Sequence, residues 1–302
     1  MPRFFRLILT LVVLSVLLFI SQRVFAQEWR PVRGGIPFGI SGMALVQQQG
    51  DNLDFLIVHD NKKQNQGRLA IISLKGKNQP DYFPLNWPSN IKLPIDLEAL
   101  TTIPNTNNSA FIALSSDGKA YHLTLDATNK NISVVKEFNL PAFPLNSNFE
   151  SFNLQDINGT IVAMWAHRGE GKQPAKIYWG IFDLNKYKIT TAGSANFTVP
   201  FPSGNVRHIS DIKVDSAGIV YISSASDAGD DGPFQSAVYV AGYLGFSGNK
   251  IFWRQNSQLF PIYRDEYHKI EGLELVPGAA GGVIVATDDE NLGSYVYVVG
   301  AE

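Results

Sequence analysis

The sequence contains no cysteine among its 302 residues. This absence excludes a disulfide-built scaffold, thiolate metal sites and cysteine nucleophiles. The chain also lacks an excess of charge of either sign, with 25 basic against 27 acidic residues. Because no basic stripe is present, the sequence predicts that nucleic acid is not a partner.

The N-terminus has the pattern of a secretory signal peptide. Arg3 and Arg6 precede an apolar run from Leu7 to Ile20, and Ala26 is a small residue at the predicted cleavage site. We therefore predict a signal peptide over residues 1–26 and a single domain over 27–302, in a secreted or periplasmic protein with no stable membrane span after cleavage. An uncleaved anchor is the alternative, although the apolar run is shorter than the ~20 residues that a span needs.

Helical periodicity is scarce after residue 27, and short β-branched and aromatic runs bounded by Gly, Pro, Asn and Asp take its place. This pattern is typical of an all-β protein. Five segments follow one template, each with a first strand, a strongly apolar second strand and a third strand. The first strands are "ISGMAL", "DLEALTTI", "FESFNL", "ISDIKV" and "IEGLELV".

Four of the five segments continue into a fourth, more polar strand, while the fifth segment ends at Glu302. The stretch "EWRPVRG" at residues 28–34 is able to supply the missing strand. The sequence thus predicts a five-bladed β-propeller of four-stranded antiparallel blades, with the N-terminal strand closing the last blade. Pro-containing stretches such as "FPIYRD" at residues 260–265 are predicted linkers between blades. A pair of β-sandwiches and a six-bladed ring are the alternatives.

The five first strands carry an oxygen-bearing side chain at the same position of the template. In a propeller these side chains point toward the central channel, so we call them the axial ring: Ser41, Glu98, Glu150, Ser210 and Glu271. Three carboxylates around one axis repel one another by roughly 1 to 3 kcal/mol per pair. A hard divalent cation offsets this repulsion best, because Ca²⁺ accepts six to eight oxygen ligands in a loose geometry. Protonation or a shell of channel water is the alternative.

This ring, with the stretches "HISDIKVDSAGIVYISSASDAGDDGPFQSAVYVAGY" and "HKIEGLELV", resembles the calcium-activated nucleotidases, or soluble apyrases. Phytase-like and esterase-like propellers are a second resemblance. The first resemblance implies that the five ring residues surround one Ca²⁺ in the channel and that nucleoside diphosphates are hydrolysed at its mouth. Where that family has an Asp-Asp-Arg-Thr-Gly loop, this chain has "HDNKKQNQG", which keeps Asp60 and lacks the arginine.

If the protein is an enzyme, the predicted chemistry is metal-assisted hydrolysis of a phosphoric anhydride or ester. Asp60, Arg168 and His167 are then the candidate catalytic residues, with Arg168 and Lys63 holding phosphate charge and Asp60 or Glu98 acting as base. The partner is a small phosphorylated substrate or an extracellular protein or glycan, and the protein is expected to be a monomer. The alternative is a secreted binding or scaffold propeller with a structural calcium ion and no chemistry.

Overall fold

A computed structural model describes residues 29–126, 128–141, 148–276 and 282–299. The predicted signal peptide at residues 1–26 lies outside these residues. The described chain is all-β and forms five antiparallel sheets around a central axis, which confirms the predicted five-bladed propeller. Among the residues described, no helix is long and apolar enough to span a bilayer.

The strands follow the chain blade by blade. The N-terminal strand is β1 (Arg30–Arg33), and blade one then comprises β2 (Gly42–Gln49), β3 (Asn52–Val58), β4 (Leu69–Lys75) and β5 (Asp81–Leu85). Blade two comprises β6 (Leu97–Thr102), β7 (Ala110–Ser115), β8 (Lys119–Asp126) and β9 (Asn131–Asn139). Blade three comprises β10 (Phe149–Ile157), β11 (Thr160–His167), β12 (Ala175–Asp183) and β13 (Lys188–Phe197). Blade four comprises β14 (Val206–Val214), β15 (Ile219–Ser226), β16 (Ser236–Ser247), β17 (Lys250–Gln255) and β18 (Pro261–Asp265), and blade five comprises β19 (Ile270–Leu275), β20 (Val283–Thr287) and β21 (Ser294–Val299).

Blade five is completed by the N-terminal strand. β1 pairs with β21 in antiparallel register, with Arg30 opposite Val296. The sheet order is therefore β1, β21, β20, β19, as the sequence predicts for the closing strand. Because the first and last strands share one sheet, the ring has no open edge between its ends.

One predicted linker is a strand. Residues 261–265 form β18, which pairs with the first half of the long strand β16, whereas β17 pairs with its second half. Prediction of a linker from Pro261 was wrong because a proline is compatible with the first residue of an edge strand, where its missing N–H is not needed. Blade four therefore has five strands.

The hydrophobic core lies between the blades. Five clusters of buried apolar side chains are present in the described part of the chain, one for each pair of neighbouring sheets. For example, Leu56 of blade one packs in a cluster with Phe111 of blade two, and Met164 of blade three with Ile222 of blade four. Each such side chain contributes roughly 1.5 to 3 kcal/mol when it is fully buried. This packing fixes the inner strands around the channel and so determines where their polar side chains meet.

Candidate active site

Local irregularities of the inner strands direct the three ring glutamates. Glu98, Glu150 and Glu271 each lie at a shift of register, where the residues on either side pair with consecutive residues of the second strand. Such a bulge re-aims a side chain and is frequent next to functional sites. In blade four a longer shift between Arg207 and Asp211 includes Ser210. The repeated bulge gives the three glutamates equivalent places at the mouth of the channel.

All five ring residues are buried, each with less than a tenth of its surface exposed. The hydroxyls of Ser41 and Ser210 are enclosed and have no hydrogen-bond partner among the described residues. The carboxylates differ sharply from one another in their partners. We therefore divide the mouth into a paired half, formed by Glu150 and Glu271 with Arg168, Arg207 and Lys269, and an acidic half, formed by Asp60, Asp96 and Glu98.

Glu271 in the paired half lies between two cations. Arg207 Nη1 donates to Glu271 Oε1 at 2.9 Å, and Lys269 Nζ lies 3.2 Å from the same oxygen. Both cations are themselves buried or nearly so. Glu271 is thus offset by basic side chains of the same protein, and its negative charge does not require a metal ion.

The two cations have further anionic partners. Arg207 Nη2 donates to Asp227 Oδ2 at 2.7 Å, and Lys269 Nζ donates to Glu290 Oε1 at 2.5 Å. Burial alone lowers the pKa of Lys269, but the carboxylates of Glu271 and Asp288 outweigh it and raise the pKa above its ordinary value. The same balance, led by Glu271 and Glu150, raises the pKa of Arg207. Both side chains therefore stay charged.

Glu150 is held less strongly. Asn148 Nδ2 donates to Glu150 Oε1 at 3.0 Å, and Arg168 Nη1 donates to the same oxygen at 3.3 Å. Burial raises the pKa of Glu150 to about 7, with Arg207 and Arg168 opposing the shift and Glu271 adding to it. Near neutral pH this group therefore exists in both its protonated and its ionised form, unlike an ordinary carboxyl.

Asp60, Asp96 and Glu98 of the acidic half lie close together. One carboxylate oxygen from each lies within 4.8 Å of the others. Burial raises the pKa of Glu98 well above its ordinary value, and the carboxylates of Glu150 and Glu271 add to this shift. Burial, then Glu271 and Asp96, raises the pKa of Asp60 to about 6. These shifts show that the acidic half accumulates negative charge without enough positive charge to offset it.

One cation lies beside the acidic half. Lys62 Nζ is 2.9 Å from Asp96 Oδ1, but about two thirds of the lysine side chain is exposed. Glu98 forms no hydrogen bond or ion pair with the described residues. The rim lysine therefore compensates Asp96 and leaves Glu98 and Asp60 without a direct partner.

A buried arginine shapes the loop that carries Asp60. Arg68 is 1% exposed, and its guanidinium donates to three backbone carbonyls, those of Pro94, Gln66 and Lys63. Asn61 Nδ2 donates to Pro37 O and Gly67 O. These bonds tie the loop after β3 to the residues preceding Asp96, so Asp60 and Asp96 are brought to one place.

A buried lysine crosses the channel below the mouth. Lys213 is 2% exposed, and its Nζ donates to Met43 O at 2.8 Å and Leu100 O at 2.7 Å. The ammonium also lies 3.6 Å from Glu274 and 3.9 Å from Asp211. Lys213 thus joins blades one, two, four and five at the axis, and it supplies a positive charge inside the channel.

The residues that the sequence predicted to form one site have different surroundings in the structure. Of the five ring residues only Glu98 belongs to the carboxylate cluster, while Asp60, predicted as catalytic, is its neighbour there. Arg168 contacts Glu150, and His167 Nδ1 accepts a hydrogen bond from Gly169 N at 3.0 Å. Burial lowers the pKa of His167, so its contact with the turn does not need a charged ring.

Sequence reasoning missed Asp96, Lys269 and Lys213, and it placed Lys62 and Arg207 at the mouth without a role. The three missed residues follow a signal in the template. The positions two residues before the ring are Gly39, Asp96, Asn148, His208 and Lys269, and the positions three residues after it are Ala44, Thr101, Asn153, Lys213 and Glu274. Each set is polar in four blades of five, which marks two further rows of channel-side positions. No comparable signal distinguishes Lys62 from Lys63.

The donor set of the acidic half fits a hard divalent cation. Carboxylate oxygens are the ligands that Ca²⁺ prefers, and the unpartnered hydroxyl of Ser41 is at the equivalent place of the neighbouring blade. The paired half is different, because Arg207 and Lys269 contact the Glu271 carboxylate, which would otherwise be available as a metal ligand. The arrangement as a whole offers one candidate cation position and, beside it, two carboxyl groups in contrasting surroundings.

Comparisons with known proteins identify the fold. No protein-family model matches the sequence, and a search of curated proteins finds no match. An exo-β-1,3-galactanase from Clostridium thermocellum superposes with a TM-score of 0.54 at 9% identity, covering 89% of this chain and 61% of that one. A glycoside hydrolase gives 0.52 at 14% identity, covering 87% and 60%, and the GH43B protein of a Bacteroides ovatus xyloglucan PUL gives 0.51 at 10%, covering 88% and 53%.

This chain therefore spans between 53% and 61% of those proteins. Their similarity shows a shared propeller fold. The resemblance to calcium-activated nucleotidases stays a prediction, since the similar structures named above are glycoside hydrolases.

Proposed function

We propose that the protein is a hydrolase that cleaves glycosidic bonds at the mouth of the channel. The observation that carries this proposal is the pair Glu150 and Glu271. Burial raises the pKa of Glu150 to about 7, whereas Arg207 and Lys269 bracket Glu271. Two carboxyl groups in contrasting surroundings are the usual means of general acid and general base catalysis in glycoside hydrolysis.

In this proposal Glu150 donates a proton to the leaving oxygen and Glu271 accepts one from the attacking water. Asn148 and Arg168 orient Glu150, and Arg207 and Lys269 contact Glu271 Oε1 and orient that carboxyl group. A neutral saccharide suits the mouth because carboxylates outnumber cations there, which repels an anionic substrate. The glycoside hydrolases that share the fold are consistent with this substrate class.

Calcium is the cofactor we propose, held by Asp60, Asp96 and Glu98. Their oxygens lie within 4.8 Å of one another, and Glu98 has no direct cationic partner. When bound, the ion supplies Lewis-acid polarisation of a substrate oxygen and offsets the charge of the acidic half. Arg68 and Asn61 hold the Asp60 loop in place for this purpose.

Hydrolysis of a phosphoric anhydride or ester is the second candidate. It is favoured by Arg168, which exposes 21% of its side chain at the mouth and is able to contact a phosphate oxygen. An anionic substrate needs calcium in the acidic half to reduce repulsion. Both candidates are proposed for a secreted or periplasmic protein, in line with the pattern of residues 1–26.

The test is a hydrolysis assay with nitrophenyl glycosides, nucleotides and phosphoesters, each with calcium and with chelator. We expect glycoside cleavage that falls at least about 100-fold in Glu150→Gln and in Glu271→Gln, the usual effect of losing a general acid or base. Glu170→Gln is the matched control, because Glu170 lies at the same mouth but 67% of its side chain is exposed.

Other outcomes assign the alternatives. Phosphate release in place of glycoside cleavage selects the second candidate. No turnover of any substrate, together with a calcium-dependent rise in melting temperature, contradicts the hydrolase and leaves a calcium-binding propeller that docks a protein or glycan without chemistry.

A further inference from the structure

A cavity lies at the end of the channel opposite the mouth. Its volume is about 430 Å³, within the range of roughly 300 to 1,000 Å³ that is usual for small-ligand pockets. Residues of the inner strands β6, β10, β14 and β19 line it, together with described residues that lie beyond three of these strands: Pro104, Asn108, Asp215, Ser216, Val276 and Gly282. The ring residues Glu98, Glu150 and Glu271 are the second residues of β6, β10 and β19, at the opposite ends of these strands.

Lys213 separates this cavity from the mouth. Its side chain forms part of the cavity wall, and its ammonium is already engaged by two carbonyls of blades one and two. Glu274, also in the wall, accepts hydrogen bonds from the backbone N–H groups of Leu45 and Leu275. The two charged side chains at this part of the cavity wall, Lys213 and Glu274, therefore already have hydrogen-bond partners within the protein.

The charge of the cavity indicates what it does not bind. The positive charge of Lys213 is offset by Asp211 and Glu274, so the described wall holds no free cation to select an anionic group. Asp215 Oδ1 accepts the N–H groups of Ala217 and Ile219 within its own turn. A single aromatic residue, Tyr221, lines the described wall, and one ring does not form a cage for a quaternary ammonium ion.

The remaining polar groups are neutral. Thr102, Ser216 and Tyr221 contribute hydroxyls and Asn108 contributes an amide. None of these four side chains forms a hydrogen bond within the described part of the chain. Apolar surface from Leu154, Leu275 and Val283 lies between them. Neutral donors and acceptors alternating with apolar patches match a compound that carries several hydroxyls on a carbon ring.

We infer that this cavity is a second binding site and that its ligand is a small neutral polyhydroxy compound, a monosaccharide or cyclic polyol. The site is independent of the proposed hydrolysis, because Lys213 lies between the two ends of the channel.

The experiment is a titration of the full chain, followed by calorimetry, with D-xylose, D-galactose and myo-inositol as neutral probes. D-galacturonate and D-glucosamine are the anionic and cationic probes of similar size. We expect at least one neutral probe to bind and to bind more tightly than both charged ones. Binding of no probe, or tighter binding of a charged one, overturns the inference.

Variants locate the binding. Ser216→Trp places a large side chain at the cavity wall and is expected to weaken the neutral probe at least about tenfold, which is 1.4 kcal/mol. Ala217→Trp is its matched control, since both residues are central in the turn closed by Gly218 N and Asp215 O, and Ala217 does not line the cavity. We expect less than about a twofold change there.

The mouth variant Glu150→Gln separates this inference from the proposed function. Binding that survives in Glu150→Gln and is lost in Ser216→Trp supports the lower site whether or not the mouth hydrolyses anything. Binding that survives in Ser216→Trp and is lost in Glu150→Gln places the sugar at the mouth and contradicts the lower site.

Discussion

The acidic half and the paired half of the mouth contain similar numbers of carboxylates. They differ in the number of basic side chains that contact these carboxylates. Glu271 contacts Arg207 and Lys269, both of which have additional anionic partners. Glu98 lies equally deep and has no direct partner in the described chain. Equivalent positions of the fold thus have opposite electrostatics: Glu271 in the paired half has two cationic partners, and Glu98 in the acidic half has none among the described residues. The predictions below test this difference.

Arg207→Met has the largest expected effect. Removing this cation leaves Glu271 and Asp227 without their shared donor, and breaking a buried ion pair from one side costs about 3 to 5 kcal/mol of the free energy of unfolding. Urea denaturation measures the loss. Arg254→Met, at an exposed position of β17, is the control. A loss below about 1 kcal/mol, the level of an exposed pair, shows that the paired half does not stabilise the ring.

Glu271→Gln also perturbs the paired half, with a smaller expected loss of the free energy of unfolding. Arg207 keeps Asp227 and Lys269 keeps Glu290, so we expect a loss of about 1 to 3 kcal/mol. The melting temperature of the calcium-free protein should fall while calcium affinity changes little, as calorimetric titration will show. An accompanying tenfold loss of calcium affinity means that Glu271 contributes to the ion site, as the resemblance to nucleotidases implies.

Glu98→Gln should change stability in the opposite direction. Without calcium, replacing an unpartnered buried carboxylate by a neutral amide stabilises the protein by about 1 kcal/mol, a common gain when a functional group is removed. We expect calcium to raise the melting temperature of the wild type and not that of Glu98→Gln. Differential scanning calorimetry of the wild type, Glu98→Gln and Glu170→Gln provides both readouts, and a destabilised Glu98→Gln contradicts the proposed charge imbalance.

The smallest effect concerns a histidine outside both halves. His122 in blade two has its Nδ1 2.7 Å from Tyr187 Oη, and burial lowers its pKa below the ordinary 6.5. The folded state disfavours the protonated ring, so the stability contributed by neutral His122 is present above pH 6.5 and is lost as the pH falls below it. His122→Gln should lose less stability than wild type between pH 7 and pH 5. An identical slope shows that acid sensitivity arises elsewhere.

The blade architecture was predictable because each blade repeats a local pattern. Apolar second strands and bounded polar turns recur five times, and the ring residues Glu98, Glu150 and Glu271 stand at the same template position. The closing strand at Arg30–Arg33 was predictable because the last blade is one strand short. The prediction of the blades and that of the closing strand both depend on patterns within short stretches of sequence, which are visible without knowledge of the fold.

The partners of the ring carboxylates were not predictable in this way. Lys269 and Glu271 are near neighbours in the chain, but Arg207 reaches Glu271 from another blade, and Arg168 reaches Glu150 from a loop. Which carboxylate acquires a cation depends on how the blades meet, and this is a tertiary property. The sequence therefore predicts how many charges face the channel better than it predicts which of them are offset.

The pairing of β1 with β21 has a consequence for folding. Arg30 and Val296 lie near opposite ends of the described chain, so ring closure depends on the strand pairing with the greatest sequence separation among the described strands. Until that contact forms, blade five exposes an unpaired edge of β21, and such an edge is a template for association with another chain. The pairing that closes the ring thus also covers a strand edge that could otherwise associate with another chain.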